Sequence, residues 1–474
     1  MAGDWETGDL REFLESGIIT ESRMRIVDEN ARALGLSSMQ MMESAGRSLA
    51  ECVLSYDPSN VLLLCGKGNN GGDGLVAARY MQDLETAVLF ADQPGKSPEC
   101  RFQLEIVKHC SVTIYPVRCR EDVISHEQEF YKADVIVDCL LGTGFYGELR
   151  EPVRSLVKMA NQASVPVIAA DVPTSGMKAD RIVAFHRPKN EGSDIMDIGI
   201  PLEAEVFVGP GDLLLVKKRD HRAHKGAGGK VLIIGGGPYQ GAPYLAGLGA
   251  LRAGADIVRI ASPVFEPVPD LMYERLEGPF IGKEHIERLL DLVNDTDVVV
   301  MGNGLGDRSH EVVLEIAPHC KKAVFDADAL QKPLPSATES IYTPHAGEFT
   351  RLTGIRPGDE LAPRARAVKN AAENAGMSAT ILLKGPVDII SDGERVRFNR
   401  TGSPAMTVGG TGDVLAGITG ALFCHLPAFE SACIAAYVTG KAGADIADQQ
   451  GGGLLASDIP DRIPFELFRR EKNG

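Results

Sequence analysis

Val61-Leu62-Leu63-Leu64-Cys65-Gly66-Lys67-Gly68-Asn69-Asn70-Gly71-Gly72-Asp73-Gly74 is the stretch that decides the architecture. An apolar run of strand length enters a glycine-rich turn, and a helical pattern over residues 74–84 follows. Strand, glycine turn and helix together form a cradle for a mononucleotide or a phosphate. The spacing is neither G-x-G-x-x-G nor a P-loop, because no Gly-Lys-Ser/Thr follows. Asn69, Asn70 and Asp73 add chemistry to the turn: their side-chain oxygens suit a hydroxyl, an amide or a hard cation.

Outward from this unit, β-branched runs at 61–65, 86–91, 112–117, 134–141 and 165–170 alternate with helical segments such as 151–163. That alternation is a βαβ series around a parallel sheet, an α/β fold. Met24, Val27, Ala31 and Leu34 recur at helical spacing within 21–56, so an amphipathic helix is expected across one sheet face. Open α/β sheets bind ligands beyond their strand C-termini. Asp138 closes the fourth strand and Asp171 the fifth, so their loops converge with the Asn69-Asn70 turn on one crevice. Either carboxylate alone reads equally well as a cap on turn amides; the convergence favours a site.

A second series starts at 231–234 and continues through 258–261, 297–301, 323–325 and 379–383, with helices near 241–254, 285–294 and 361–376. Two series imply two sheets and two domains, 1–215 and 216–474. They are divided after Gly209-Pro210-Gly211-Asp212, where a basic run at 217–222 reads as a solvated linker. The second half's most informative stretch is Thr407-Val408-Gly409-Gly410-Thr411-Gly412-Asp413, which opens into an apolar helix over 414–425. Exposed N–H groups and the positive end of the helix dipole make such a turn an anion site suited to phosphate. A carboxylate beside bound phosphate is repelled unless it has another task, such as taking a proton from a hydroxyl about to attack that phosphate. The residues therefore read as phosphoryl transfer to a small alcohol; the plainer reading of Asp413 is an acid in a helix's first turn. His345 reads as a solvated or capping residue or as a ligand contact, and Lys384 as a surface lysine or a phosphate counter-charge.

At 474 residues the chain exceeds one ordinary core, and 44% hydrophobic with 24% charged residues is a globular composition. A net charge of −16 argues against nucleic acid or an anionic membrane as the main partner. The apolar runs are strand-sized, so no membrane span is expected. Nine cysteines without a C-x-x-C pair point to a reducing cytoplasm. Residues 1–17, with Asp4, Glu6, Asp9, Glu12 and Glu15, read as a frayed extension and not as a secretory signal.

GNNGGDGLVAARYM at 68–81, VDCLLGTGF at 137–145 and the Asp171-Val172-Pro173 turn occur in that order and resemble the N-terminal domain of the YjeF-type NAD(P)HX epimerases. The resemblance implies a Rossmann-like three-layer αβα fold. It implies that Asn70, Asp138 and Thr174 contact a potassium ion (K+). It also implies that Asn69, Asn70, Gly71, Gly72 and Asp73 line the dinucleotide hydrate together with Gly142, Thr143, Gly144, Phe145, Tyr146, Gly147 and Glu148. Asp171 would face the nicotinamide ring as acid or base. In that family a longer loop of the type Ser-Gly-x-Asp-x-x-x-Gly usually follows this turn; here Thr174-Ser175-Gly176-Met177-Lys178-Ala179-Asp180 leads almost directly into the next strand.

In the second half, KGAGGKVLIIGG (225–236), GAPYLAGLGALRAGA (241–255), GNGLG (302–306), DADAL (326–330), TPHAGEF (343–349), LKGP (383–386) and AMTVGGTGDVLAGI (405–418) resemble the ADP- or ATP-dependent NAD(P)HX dehydratases. These share a ribokinase-like αβα fold. The resemblance implies that Ala242, Gly304, His345 and Asp413 touch the hydrate. Lys384, Gly385, Pro386, Val387 and Asp388, with Gly410, Thr411 and Gly412, would hold the nucleotide, expected to be ADP, with Mg2+ bridging its phosphates. Residues 263–275 fit the pattern poorly. The expectation is a cytoplasmic homo-oligomer acting on NADHX and NADPHX, with epimerase and dehydratase activities on one chain and Asp413 and Asp171 as their catalytic groups. The rival reading is a ribokinase-like kinase of a vitamin alcohol with a non-catalytic N-terminal binding domain.

Overall fold

The computed structural model describes residues 9–145, 147–217, 224, 226–376 and 378–468. The chain forms two compact units: one of Ser16–Ala204, the other of Glu205–Gly474 together with Met1–Glu15.

The first unit holds seven parallel strands: β1 (Asn60–Cys65), β2 (Glu85–Ala91), β3 (Thr113–Val117), β4 (Val135–Cys139), β5 (Val167–Ala170), β6 (Arg181–Phe185) and β7 (Asp194–Met196). Their order is β3-β2-β1-β4-β5-β6-β7, which puts the C-terminal ends of β1, β4 and β5 side by side. Val61, Leu63 and Cys65 join the core on one face, Leu62 and Leu64 the core on the other, as expected of a strand covered on both sides. Two helices, Glu21–Ala33 and Ser38–Leu54, replace the single helix expected over 21–56. Gly35 takes a φ of 99° at the break, and a Ser37–Gln40 capping box starts the second helix. Val27 and Ala31 are buried as their spacing implies, but Leu34 lies past the helix end and is exposed.

The second unit contains β8 (Lys230–Ile234), β9 (Ile257–Ser262), β10 (Met272–Arg275), β11 (Val298–Met301), β12 (Lys322–Phe325), β13 (Glu339–Tyr342), β14 (Ala379–Leu383), β15 (Asp388–Ser391) and β16 (Val396–Asn399). The order is β10-β9-β8-β11-β12-β13-β14-β15-β16, parallel except for the antiparallel β14-β15-β16 edge. Val231, Val298 and Val300 pack under the helix Thr411–Phe423, and the helix Ala428–Gln450 lies against β13 to β16. The described part of the N-terminal segment is packed, not frayed: Leu10 and Phe13 are buried, and the Phe13 ring meets Phe398 edge-on at 5.5 Å. Residues from Glu205 up to the boundary expected near 215 also group with this unit. There Val208 N donates to Phe398 O at 2.8 Å, and Arg397 forms a buried ion pair with Asp212 at 3.0 Å. Residues 218–222 of the basic run lie outside the described residues. No helix among the described residues is long and apolar enough to cross a membrane.

Candidate active sites

In the first unit the glycine turn is shorter than its sequence suggests. The helix Asn69–Tyr80 already includes Asn69, Asn70, Gly71, Gly72 and Asp73, so only residues 66–68 turn. Close approach explains the glycines: a Cβ on Gly71 would lie 1.9 Å from Gly66 O, and one on Gly66 would lie 1.8 Å from Leu140 O. The helix start is thereby pressed against the ends of β1 and β4.

Above it opens a cavity of about 520 Å³ lined by Asn69, Asn70, Asp73, Gly142, Thr143, Gly144, Phe145 and Asp171. Gly147 and Glu148 are exposed and not among its lining residues, and Tyr146 lies outside the described residues. Asp138 and Thr174 sit buried at the strand ends. Thr174 donates to Asp138 through its backbone N at 2.7 Å and its hydroxyl at 2.8 Å, and Leu140 N donates to Asp138 at 3.1 Å, which ends β4 two residues before the expected 141. Burial pushes the Asp138 carboxyl up to about 6. Asn70 Nδ2 donates to Leu141 O at 3.1 Å, so Asn70, Asp138 and Thr174 meet around one loop despite the short connection after Asp171.

Asp171 has a φ of 64°, a left-handed conformation rare outside glycine and concentrated at functional sites. Two residues without a sequence signal complete the group. Lys189 Nζ, nearly buried, donates to Asp171 Oδ1 at 2.5 Å and to Phe185 O at 2.9 Å. Asp28, from the first helix, also lines the cavity. Burial and the Asp171 charge raise the Asp73 carboxyl well above its usual range, against the pull of Lys189. Burial likewise raises Asp28.

In the second unit β11, β12, β13 and β14 lie side by side, and each ends in a polar residue of one network. Asp326, after β12, accepts from Lys384 Nζ at 2.7 Å, Thr343 Oγ1 at 2.7 Å and Asn303 Nδ2 at 3.0 Å. The same Asn303 amide donates to Asp413 Oδ1 at 2.8 Å. Asp413 stands in the first turn of the helix Thr411–Phe423, whose N-cap Gly410 has a φ of 98°. Gly412 faces the lysine: a Cβ there would lie 3.1 Å from Lys384 Nζ. Burial, then the Asp326 charge, pushes Asp413 up to about 6, against the Asn303 hydrogen bond and Lys384. Burial would lower the Lys384 ammonium, but Asp326 and Glu348 outweigh it and raise its pKa.

His345 caps its helix, its Nδ1 accepting from Gly347 N at 3.0 Å and Glu348 N at 3.3 Å. Burial and Lys384 lower its pKa, which keeps the ring neutral and leaves Nε2 to donate. Lys384 N donates to Pro344 O at 2.8 Å, so His345 and Lys384 are held side by side. Ala242 and Gly304 are neighbours, a Cβ on Gly304 lying 3.1 Å from that of Ala242. Gly385 N donates to Asp388 at 2.9 Å across the tight Lys384–Asp388 loop, in which the Val387 side chain points into the core. Asn303, Asp326 and Glu348 stand in GNGLG, DADAL and TPHAGEF, and nothing in those stretches alone gives Asn303 or Glu348 a role. Asp326 had the signal used for Asp138 and Asp171, an acid at a strand end. Burial pushes Glu348 up to about 7.

Residues 231–465 match the NAD(P)H-hydrate dehydratase family and residues 38–188 the YjeF-related protein N-terminus. The chain is 52% identical over 97% of its length to the bifunctional NAD(P)H-hydrate repair enzyme Nnr of Methanospirillum hungatei, covering 95% of that protein. It belongs to the bifunctional NAD(P)H-hydrate repair family. The similarly named protein of Archaeoglobus fulgidus is 40% identical over 95% of this chain and 98% of its own. A solved ADP/ATP-dependent NAD(P)H-hydrate dehydratase from Bacillus subtilis, co-crystallised with ATP and Mg2+, is 28% identical over 56% of this chain and 98% of its own, with a TM-score of 0.48. The cavity lined by Asn69 and Asp171 thus lies in the YjeF-type half, and the Asn303–Asp326–Asp413 network lies in the dehydratase half.

Proposed function

We propose that the chain converts both epimers of NAD(P)HX to NAD(P)H: the first unit interconverts them and the second dehydrates the S form at the expense of ADP. The observation that carries the reading is Asp413, a carboxylate raised to about 6 and fixed at the start of a glycine-led helix. NAD(P)HX carries a hydroxyl on ring carbon six, and hydroxide is a poor leaving group. Asp413 takes the hydroxyl proton while the oxygen attacks the terminal phosphorus of ADP; the new O–P bond forms as the bond to AMP breaks. The ring nitrogen's lone pair then expels phosphate, and loss of the proton on carbon five restores the double bond.

The amides of Gly410, Thr411 and Gly412 and the Lys384 ammonium face the charge that builds on the transferred group. Mg2+, when bound, neutralises phosphate charge. The hard donor at hand for it is Glu348 Oε1, which among the described residues has only His345 Nε2 near it, at 3.4 Å. In the first unit Asp171, held by Lys189, faces the nicotinamide ring as the acid or base that exchanges a proton with the hydroxyl on carbon six. K+, when bound, would be held by Asn70, Asp138 and Thr174, since Asp138 is fully buried and the donors to it among the described residues are neutral. Its role is to hold the loop that frames the nicotinamide.

Purified chain given separated R and S hydrates, with and without ADP, tests the reading. S-hydrate should return NAD(P)H only when nucleotide is present, and R-hydrate should do so after epimerisation. A stable phosphorylated product would instead mark an ordinary small-molecule kinase.

A further inference from the structure

Arg364 lies in the first turn of the helix Leu361–Ala375. It is 8% exposed, its Nε is buried without an acceptor, and its guanidinium forms no hydrogen bond or ion pair with any described residue. The carboxylates that influence it, Asp359 and Asp388, act only at a distance. Both Asp388 oxygens are already engaged, by Gly385 N at 2.9 Å and Asn399 Nδ2 at 2.9 Å. A guanidinium without a protein acceptor among the described residues is open to an anion that arrives later.

The position of the guanidinium says which anion. A Cβ on Gly385 would lie 2.9 Å from Arg364 Nη2 and 3.9 Å from Cζ, so the group rests against the backbone of the Lys384–Asp388 loop, and glycine at 385 lets it stand there without shifting. No side chain of the N-cap residue Glu360 caps the helix on which Arg364 stands. An unpaired guanidinium thus lies beside the loop read above as the nucleotide loop, and a guanidinium favours phosphate oxygens.

We propose that Arg364 recognises a phosphate of the nucleoside diphosphate that donates the phosphoryl group, with Gly385 as the small residue that makes room for it. The proposal rests on the reading of Lys384–Asp388 as the nucleotide loop. It gives Arg364 a binding role, separate from the proton and phosphoryl chemistry at Asp413.

Calorimetric titration of the full chain with adenosine, AMP, ADP and NADPH, for the unsubstituted protein, Arg364→Gln and Arg364→Lys, tests it alongside thermal unfolding without ligand. Arg364→Gln should weaken AMP and ADP at least ten-fold, leave adenosine and NADPH unchanged, and not lower the unliganded Tm; Arg364→Lys should recover part of the affinity. Unchanged ADP affinity overturns the phosphate subsite while the repair reading stands. Equal weakening of adenosine, or weakening confined to NADPH, overturns the assignment to the donor's phosphate. A lowered unliganded Tm with ADP binding intact marks a structural arginine and also overturns it. Absence of any nucleotide binding by the unsubstituted chain overturns this proposal and the repair reading together.

Discussion

Asn303 Nδ2 lies 2.8 Å from Asp413 Oδ1 and, on its other side, 3.0 Å from Asp326 Oδ2. One amide therefore separates two carboxylates that would otherwise repel each other, and it fixes its own orientation, since the reversed amide would turn an oxygen towards both. Asp413 is pinned by one oxygen, and its Oδ2, without a hydrogen-bond partner among the described residues, is the oxygen available to a substrate hydroxyl.

Replacement of Asn303 by alanine should lower kcat for dehydration by about 10- to 100-fold, because a loosened base leaves its attack geometry. The KM for nucleotide should change little. Steady-state kinetics separates the two.

The pH profile follows from the same contacts. Asp413, raised to about 6, is ionised above that value and protonated below it, so dehydration should rise about ten-fold per unit up to pH 6 and level off above it. The Asn303 hydrogen bond favours the charged form, so the Asn303→Ala limb should move to higher pH. A limb in the variant at or below that of the unsubstituted protein contradicts the assignment of this base.

In the first unit, Lys189→Met should slow epimer exchange about ten-fold or more, since it strips Asp171 of its ion pair beside Asp28 and Asp73. Dehydration of S-hydrate should be untouched. Exchange of the two hydrates followed by chromatography gives the readout.

Gly71→Ala should destabilise the first unit by about 2–3 kcal/mol, because its Cβ would lie 1.9 Å from Gly66 O and the helix start must move. Calorimetry should show one transition lowered, with dehydratase activity retained at temperatures below it.

Much of this is legible in residue order. The run Val61–Gly74 declares a parallel α/β sheet because strand and glycine turn are local signals; strand-end acids mark the first crevice, and the glycine turn before Asp413 marks the second. The helix starts five residues before its pattern suggests, because glycines and asparagines disfavour helix locally and the contacts of Gly71 with Gly66 and of Gly66 with Leu140 hold them in one. The β15–β16 hairpin carried an Asp392-Gly393 turn signal that went unused. Lys189 had no signal: it reaches Asp171 across 18 residues through a loop whose path only the folded chain defines.

The most direct measurement is recovery of NADH from a mixture of R- and S-hydrate by the unsubstituted chain, Asp413→Asn and Asp171→Ala, each with ADP. The unsubstituted chain should recover both epimers. Asp413→Asn should recover neither, slowed by about two to four orders of magnitude yet still exchanging epimers, and Asp171→Ala should recover the S form alone. Nucleotide-dependent recovery at the normal rate in Asp413→Asn, or loss of both activities in either folded variant, would contradict two sites with Asp413 as the base of the second.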